Sequence, residues 1–130
     1  MAYFDDIFLL KSFTDTGEGY EALAALNAGH PVFESHFPGA PIVPGVCLMR
    51  QVEQLTSKYL SKPLKLTGVS NAKFINIVSA NGVGEVLFSV TVDSDSLKAK
   101  ATLGSPDGTV VYARFSMSFD ADSSTDTDLQ

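Results

Sequence analysis

A stretch rich in proline and glycine, from His30 to Val46, constrains this chain more than any other part of its sequence. Pro38, Pro41 and Pro44 each fix φ and bias the preceding residue toward extended geometry. Such a segment holds its side chains and backbone N–H groups in a fixed relation, as a binding or catalytic site requires. Because His36 lies within it, the stretch is either a site carrying an imidazole or a rigid surface connection with an incidental histidine.

The residues after this stretch predict one long helix. Between Val46 and Leu60, apolar residues recur near the 3.6-residue period of a helix, at Val46, Met49, Val52, Leu55, Tyr59 and Leu60. Cys47 and Leu48 widen the apolar face, so we expect the helix to be buried on more than one side.

Strands account for the rest of the predicted structure. Two precede the helix and four follow it: Ile7–Thr14, Tyr20–Asn27, Leu64–Ile77, Gly84–Asp93, Leu97–Leu103 and Thr109–Phe119. Asp93–Ser96 and Pro106–Gly108 carry the turn residues expected between the last strands. The order predicts an α+β fold in which an antiparallel sheet covers the apolar helix.

The pattern His36-Phe-Pro-Gly-x-Pro-Ile-x-Pro-Gly-Val46 resembles the signature of the 3-hydroxyacyl-(acyl carrier protein) dehydratases, hotdog-fold enzymes of fatty acid elongation. A weaker match continues through Asn71–Phe74 and the last strand, Val110–Phe119. The resemblance implies a sheet wrapped around one central helix. It also implies a homodimer or a larger homo-oligomer with sites at the interface. We expect one hotdog domain over residues 1–119 and an acidic, flexible tail over residues 120–130.

Dehydration of a 3-hydroxyacyl thioester requires a base, a group that stabilises an enolate-like oxygen, and an acid that protonates the leaving hydroxyl. The resemblance implies that His36 is the base and that the backbone N–H of Gly45 polarises the thioester carbonyl. We expect Phe37, Pro44 and Val46, which adjoin these two groups, to contact the substrate.

The sequence leaves open which group protonates the leaving hydroxyl. Arg50 stands where the resembled family has its helix acid. A guanidinium stays charged in proteins, so it suits the binding of an anionic substrate group rather than the donation of a proton. Glu53 follows one helical turn later and is predicted either to supply the proton or to pair with Arg50. Glu34, or a water polarised by the helix end, could also supply it.

The charge of the chain limits the kinds of molecule that it is expected to bind. A net charge of −6 argues against general nucleic-acid binding. Between Gln54 and Gly84, however, the chain has no acidic residue, and Lys58, Lys62, Lys65 and Lys73 lie in this part of the sequence. This local basic surface either receives an acidic acyl carrier protein or decorates the helix C-terminus, where the helix dipole favours lysine.

Other features exclude several classes of protein. The single cysteine, Cys47, rules out an internal disulfide and is expected to be a buried, inert thiol; His30 is expected to be structural. No residue spacing predicts a metal site, and no cofactor is expected beyond the phosphopantetheine that carries the substrate. The N-terminus lacks signal-peptide features and no apolar run reaches the roughly 20 residues that span a bilayer, so we expect a soluble cytoplasmic protein without membrane contact.

Three functions remain open from the sequence. The first is dehydration of a 3-hydroxyacyl thioester in fatty acid or related lipid or polyene biosynthesis. The second is hydrolysis by a hotdog thioesterase, which would use the Glu53 carboxylate to activate water. The third is a non-catalytic module that binds acyl thioesters or their carrier and has lost the acid, a reading that Arg50 favours.

Overall fold

A computed structural model describes residues 6–31, 33, 42–80 and 82–122 of the chain. Two strands, a long helix and four further strands follow one another in that order, which confirms the predicted sequence of elements. The elements are β1 (Phe8–Asp15), β2 (Gly19–Leu26), α1 (Gly45–Leu60), β3 (Leu64–Phe74), β4 (Glu85–Asp93), β5 (Lys98–Gly104) and β6 (Val111–Ala121).

The six strands form one antiparallel sheet in the order β1-β2-β4-β5-β6-β3. Helix α1 packs across the sheet and contacts β3 and β2. Its buried side chains meet those of the inner sheet face in one core that includes Val52, Leu55, Phe88, Leu103 and Ala113. The predicted architecture, a sheet wrapped around a central helix, is therefore confirmed.

The helix buries most of the apolar face that the spacing predicts, and Val46 is the exception. Val46 is 63% exposed, whereas Leu48, Val52 and Leu55 are buried. The polar Glu53 is also almost fully buried in the fold. A buried polar side chain is stable when it is hydrogen-bonded, and Glu53 meets this condition through contacts that hydrophobicity alone does not reveal.

A polar pair lies inside the core where α1 crosses β2. The Tyr20 hydroxyl is 2.9 Å from Thr56 Oγ1, and Thr56 is completely buried. Burial raises the pKa of Tyr20 far above its usual range. Tyr20 stacks on Phe13 of β1 and lies against Tyr59, so the C-terminal half of the helix is fixed to the first hairpin.

Among the C-terminal ends of the strands, those of β3 and β6 differ most from their predicted positions. Strand β3 ends at Phe74 rather than Ile77, since residues 75–78 leave the ladder and only Ser79 forms an isolated bridge, with Ile42. Strand β6 continues to Ala121, two residues beyond the predicted domain end. Residues 123–130 lie outside the described residues, so the flexible tail stays a prediction. No helix in the described ranges is long and apolar enough to cross a membrane.

Candidate active site

The start of α1 offers backbone N–H groups to a ligand. Pro44 is the N-cap residue in an extended conformation (φ −61°, ψ 147°), and its carbonyl accepts the Cys47 N–H at 2.9 Å. Within the described part of the chain, the N–H groups of Gly45 and Val46 find no acceptor, and the first turn has no acidic side chain. The positive end of the helix dipole is therefore available to an oxyanion.

A cleft of about 290 Å³ opens beside this helix start. One wall is formed by the residues that lead into α1 and by Leu48, and the other wall is the segment after β3. The lining is mainly apolar and comprises Ile42, Val43, Pro44, Gly45, Leu48, Phe74, Ile75, Asn76, Ile77 and Val78. Such a cleft suits an apolar chain that carries a polar group at one end.

Hydrogen bonds to backbone carbonyls hold the two walls in place. The Val43 N–H donates to the Val78 carbonyl at 2.8 Å. On the opposite wall, Asn76 Nδ2 donates to the Val111 carbonyl at 2.8 Å, and the Ile75 N–H donates to the Tyr112 carbonyl. The cleft is thus anchored to β6 on one side and continuous with α1 on the other.

Gly45 is in close contact with the ring of Phe74. A Cβ atom placed on Gly45 would lie 2.8 Å from two ring carbons of Phe74, closer than side chains approach one another. The Phe74 ring also packs edge-on against Phe115, with centroids 5.6 Å apart. A side chain at position 45 would displace the Phe74 ring, whereas glycine leaves the ring in place.

Arg50 and Glu53 form an ion pair on the side of α1 that faces β3. Arg50 Nη1 donates to Glu53 Oε1, while Glu53 Oε2 accepts the Leu66 N–H at 2.7 Å. The Glu53 side chain is 12% exposed and that of Arg50 is 34% exposed. Glu53 was predicted either to supply a proton or to pair with Arg50, and the structure shows the pairing.

The structure brings together only part of the predicted site. Pro44 and Gly45 line the cleft, and Val46 lies exposed beside it. Arg50 and Glu53 lie further along the helix and are not part of its lining. The predicted base His36, its neighbour Phe37 and the possible acid Glu34 lie outside the described residues, and their roles stay predictions.

Sequence reasoning missed the second wall of the cleft. The residue pattern places Phe74, Ile75 and Ile77 in one continuous strand and gives them no role in a site. The signal available was the weak motif match at Asn71–Phe74, which ends on the residue that contacts Gly45.

The structure also bears on two further predictions, the inert thiol of Cys47 and the lack of a metal site. Cys47 is buried, and burial raises the pKa of its thiol, which disfavours a reactive thiolate. Among the described residues, no group of three or more His, Cys, Asp or Glu side chains could hold a metal ion.

Comparisons with known proteins show the family and the fold of this chain. The model of the ApeI-like family, described as ApeI dehydratase, matches residues 13–102. The chain is 31% identical over 77 residues to the 3-hydroxyacyl-(acyl carrier protein) dehydratase FabZ of Zymomonas mobilis, covering 59% of this chain and 46% of that protein. The FabZ of Haemophilus influenzae is 36% identical over 52 residues, covering 40% of this chain and 35% of that protein.

The chain spans about half or less of the length of these curated relatives. Among solved structures, a chain of the dehydratase heterocomplex ApeI:P from Xenorhabdus doucetiae superposes with a TM-score of 0.72 at 14% identity, over 86% of this chain and 96% of that one. An uncharacterised protein of Erwinia carotovora subsp. atroseptica gives a TM-score of 0.68 at 14% identity, over 88% of this chain and 97% of that one.

The antiparallel sheet and its central helix define a hotdog-fold protein. Because the family model matches more than half of its length, the chain belongs to the ApeI-like dehydratase family.

Proposed function

We propose that this protein removes water from a 3-hydroxyacyl thioester to give an enoyl thioester. The observation that carries the proposal is the start of α1, where the Gly45 and Val46 N–H groups have no acceptor among the described residues and Gly45 lines an apolar cleft. A thioester carbonyl bound at these groups would be polarised while its acyl chain lay against apolar walls. Membership of the ApeI-like dehydratase family supports the same reaction class.

The reaction begins with the polarised carbonyl. Hydrogen bonds from the helix start stabilise negative charge on the carbonyl oxygen, which makes the proton on the α carbon more acidic. The imidazole of His36 takes this proton as general base, a role that rests on the motif around it. The electron pair left on the α carbon forms the new double bond as the β carbon–oxygen bond breaks.

The leaving hydroxyl needs a proton to depart as water. Arg50 stays protonated and cannot supply one, and both Glu53 oxygens already accept hydrogen bonds from Arg50 and Leu66. The predicted acid role of Glu53 would require its carboxyl to release both partners. We therefore assign the proton to the imidazolium that His36 becomes in the first step, delivered directly or through one water. In this route the proton taken from the α carbon is the one that leaves with the hydroxyl as water, so no separate acid is needed.

The substrate class we propose is an acyl chain carried on the phosphopantetheine of an acyl carrier protein, in fatty acid or related lipid biosynthesis. The similarity to FabZ proteins, which are 3-hydroxyacyl-(acyl carrier protein) dehydratases, supports it, as do the exposed lysines Lys58, Lys62, Lys65 and Lys73, which the sequence predicts to form a local basic surface. An acidic carrier would be attracted to that surface more strongly at low ionic strength.

The Arg50–Glu53 pair also supports a second candidate function, an acyl-thioester or carrier-binding module without turnover. In that case the cleft would bind the thioester but no group would complete the elimination. Hydrolysis has no such support, because the carboxylate it would use is engaged at both oxygens.

One assay separates these functions. A 3-hydroxyacyl thioester of acyl carrier protein is incubated with the protein, and both the conjugated enoyl thioester and free thiol are followed. Enoyl formation without thiol release is expected. Thiol release would instead indicate hydrolysis, and tight carrier binding with neither product would indicate a binding module.

A further inference from the structure

We propose that Asn76 binds the 3-hydroxyl group of the substrate and orients it for departure. This inference rests on the proposed function, since it names the residue that recognises the hydroxyl of the same 3-hydroxyacyl thioester. Asn76 carries the one polar side chain in the described lining of the cleft, whose other residues are apolar or glycine. Its proposed role follows from three features of the structure.

The first feature is the position of Asn76 across the cleft from Gly45. The segment after β3 runs antiparallel to the segment that leads into α1, through the bridge between Ile42 and Ser79. The next residue on each segment continues this register through a backbone hydrogen bond, and the contact of Phe74 with Gly45 shows that the segments stay adjacent. The same register, continued to the helix start, sets Asn76 opposite Gly45.

The second feature is the way in which Asn76 is held. Its Nδ2 donates to the Val111 carbonyl at 2.8 Å, and its backbone N–H donates to the Tyr112 carbonyl at 3.1 Å. Both acceptors lie at the start of β6, the neighbour of β3 inside the sheet, and not on the open edge of β3. The side chain is therefore preorganised for a ligand, and pairing of that edge with a second copy would leave its bonds intact.

The third feature is the acceptor that these bonds leave open. No described residue donates a hydrogen bond to Asn76 Oδ1. In a primary amide the oxygen and the nitrogen lie on opposite sides of the carbon, so Oδ1 is directed away from the Val111 carbonyl that holds Nδ2. A single acceptor on an otherwise apolar wall fixes the orientation of a ligand that carries a hydroxyl among apolar carbons.

These features define how the leaving group is held. The thioester carbonyl lies at the Gly45 N–H, and the hydroxyl on the β carbon donates its hydrogen to Asn76 Oδ1. A lone pair on the hydroxyl oxygen stays available for the proton that the His36 imidazolium returns, and the hydrogen bond to Oδ1 polarises that oxygen toward accepting it. When the β carbon–oxygen bond breaks, its electron pair stays on the oxygen and the group departs as water.

The test compares two ligands that differ only in the hydroxyl, the 3-hydroxyoctanoyl and octanoyl thioesters of N-acetylcysteamine. In Asn76→Ala, we expect kcat/KM for the 3-hydroxyoctanoyl thioester to fall about tenfold, because the hydrogen bond to the reacting hydroxyl is lost. The octanoyl thioester has no hydroxyl and acts as a competitive inhibitor, so its inhibition constant should not change.

Asn27→Ala is the matched control. Asn27 Nδ2 also donates to a backbone carbonyl, that of Asp6 at 3.0 Å, but Asn27 does not line the cleft. We expect both constants to stay at their wild-type values in this variant. Thermal unfolding of both variants confirms that they are folded.

A parallel loss for both ligands in Asn76→Ala would overturn the proposal, since it would show that Asn76 only anchors its wall of the cleft. An unchanged kcat/KM would overturn it as well.

If the wild type does not turn over the 3-hydroxyoctanoyl thioester, the proposed function fails, and the dissociation constants of the two thioesters are measured by calorimetry. Tighter binding of the hydroxylated thioester by the wild type, lost in Asn76→Ala, retains the recognition of the hydroxyl. A wild type that binds the two equally or binds neither, or a preference that survives in Asn76→Ala, overturns it.

Discussion

Glu53 shows how a single side chain can join two elements of this fold. One of its oxygens accepts a hydrogen bond from Arg50 in the preceding turn, and the other accepts the Leu66 N–H from β3. One turn further on, Ser57 Oγ accepts the Leu64 N–H at 3.1 Å and donates to the Glu53 carbonyl. The helix is therefore bonded to the first residues of the edge strand by two consecutive turns.

This arrangement predicts a structural cost for Glu53→Gln. The amide keeps an oxygen for Leu66 but loses the charge opposite Arg50, so we expect the free energy of unfolding to fall by about 1–3 kcal/mol. Urea denaturation measures the change. The matched control is Glu85→Gln, which removes the exposed pair with Lys11 and should cost about 0–1 kcal/mol. Equal losses in the two variants would contradict a bridging role for Glu53.

The sequence predicted that Arg50 and Glu53 could pair, because residues three apart share a helix face. It could not predict that Glu53 is buried, since its second partner is a backbone N–H on β3, thirteen residues away. It placed Val46 on the apolar face of the helix, whereas Val46 is exposed in the structure.

The turns are the elements that the sequence predicted best. Pro106–Gly108 forms the predicted reversal between β5 and β6, in which the Gly108 N–H donates to the Ser105 carbonyl at 3.0 Å. Gly108 has φ +81°, a conformation that glycine adopts without the steric cost of a side chain. Turn chemistry is local, so a few residues determine it.

The Asp107 carboxylate of this turn predicts a pH dependence of stability. It accepts hydrogen bonds from Ser105 Oγ and from the Thr109 N–H and hydroxyl, and these bonds lower its pKa to about 2. Because the folded-state pKa is depressed, its stabilising contribution is present above about pH 4 and is lost as pH falls toward about 2. The urea midpoint of the wild type should therefore exceed that of Asp107→Asn at neutral pH, and this difference should shrink across that acidic interval. A difference that stays constant over the interval would contradict the account.

The end of β3 shows where local patterns stop being informative. The apolar and β-branched residues of 64–77 predict one strand, yet the strand stops at Phe74. Beyond it, Asn76 is held by the Val111 carbonyl, and Val78 and Ser79 turn to face the segment leading into α1. These partners are distant in sequence, so periodicity cannot reveal the break that forms one wall of the cleft.

At the scale of the whole molecule, β3 leaves one edge of the sheet open. Its first N–H groups are bonded by Ser57 and Glu53, but from Gly68 to Phe74 it has no neighbour other than β6 within the described ranges. Exposed apolar side chains, among them Val69 and Phe74, lie along this edge. An exposed apolar edge strand is a surface that pairs with another strand.

We therefore expect the protein to assemble through this edge. The sequence resemblance implies a homodimer or a larger homo-oligomer. Light scattering should give twice the monomer mass or more, and Val69→Lys should shift it toward the monomer by placing a charge on the edge. Thr91→Lys adds the same charge to an exposed position of β4, away from this edge, and should leave the mass unchanged. A monomeric wild type at micromolar concentration would contradict the prediction.

The global arrangement was predicted only in outline. The order of elements and the resemblance indicated a sheet around a helix, because an apolar helix this long must be covered. The position of β3 beside β6 at the edge depends on pairings between residues far apart in sequence, as between Phe74 and Ala113. No local pattern specifies such pairings, and the cleft between α1 and β3 depends on them.

The measurement that tests the central claim most directly is enoyl formation from a 3-hydroxyacyl thioester of acyl carrier protein, with wild type, His36→Ala and Arg50→Glu side by side. Thermal unfolding of each variant confirms that it is folded. We predict turnover by the wild type, a loss of at least about 100-fold in His36→Ala, and no requirement for an acid at position 50. An inactive wild type together with an active Arg50→Glu would contradict the claim, because the chain would then be a binding relative that lacks its acid.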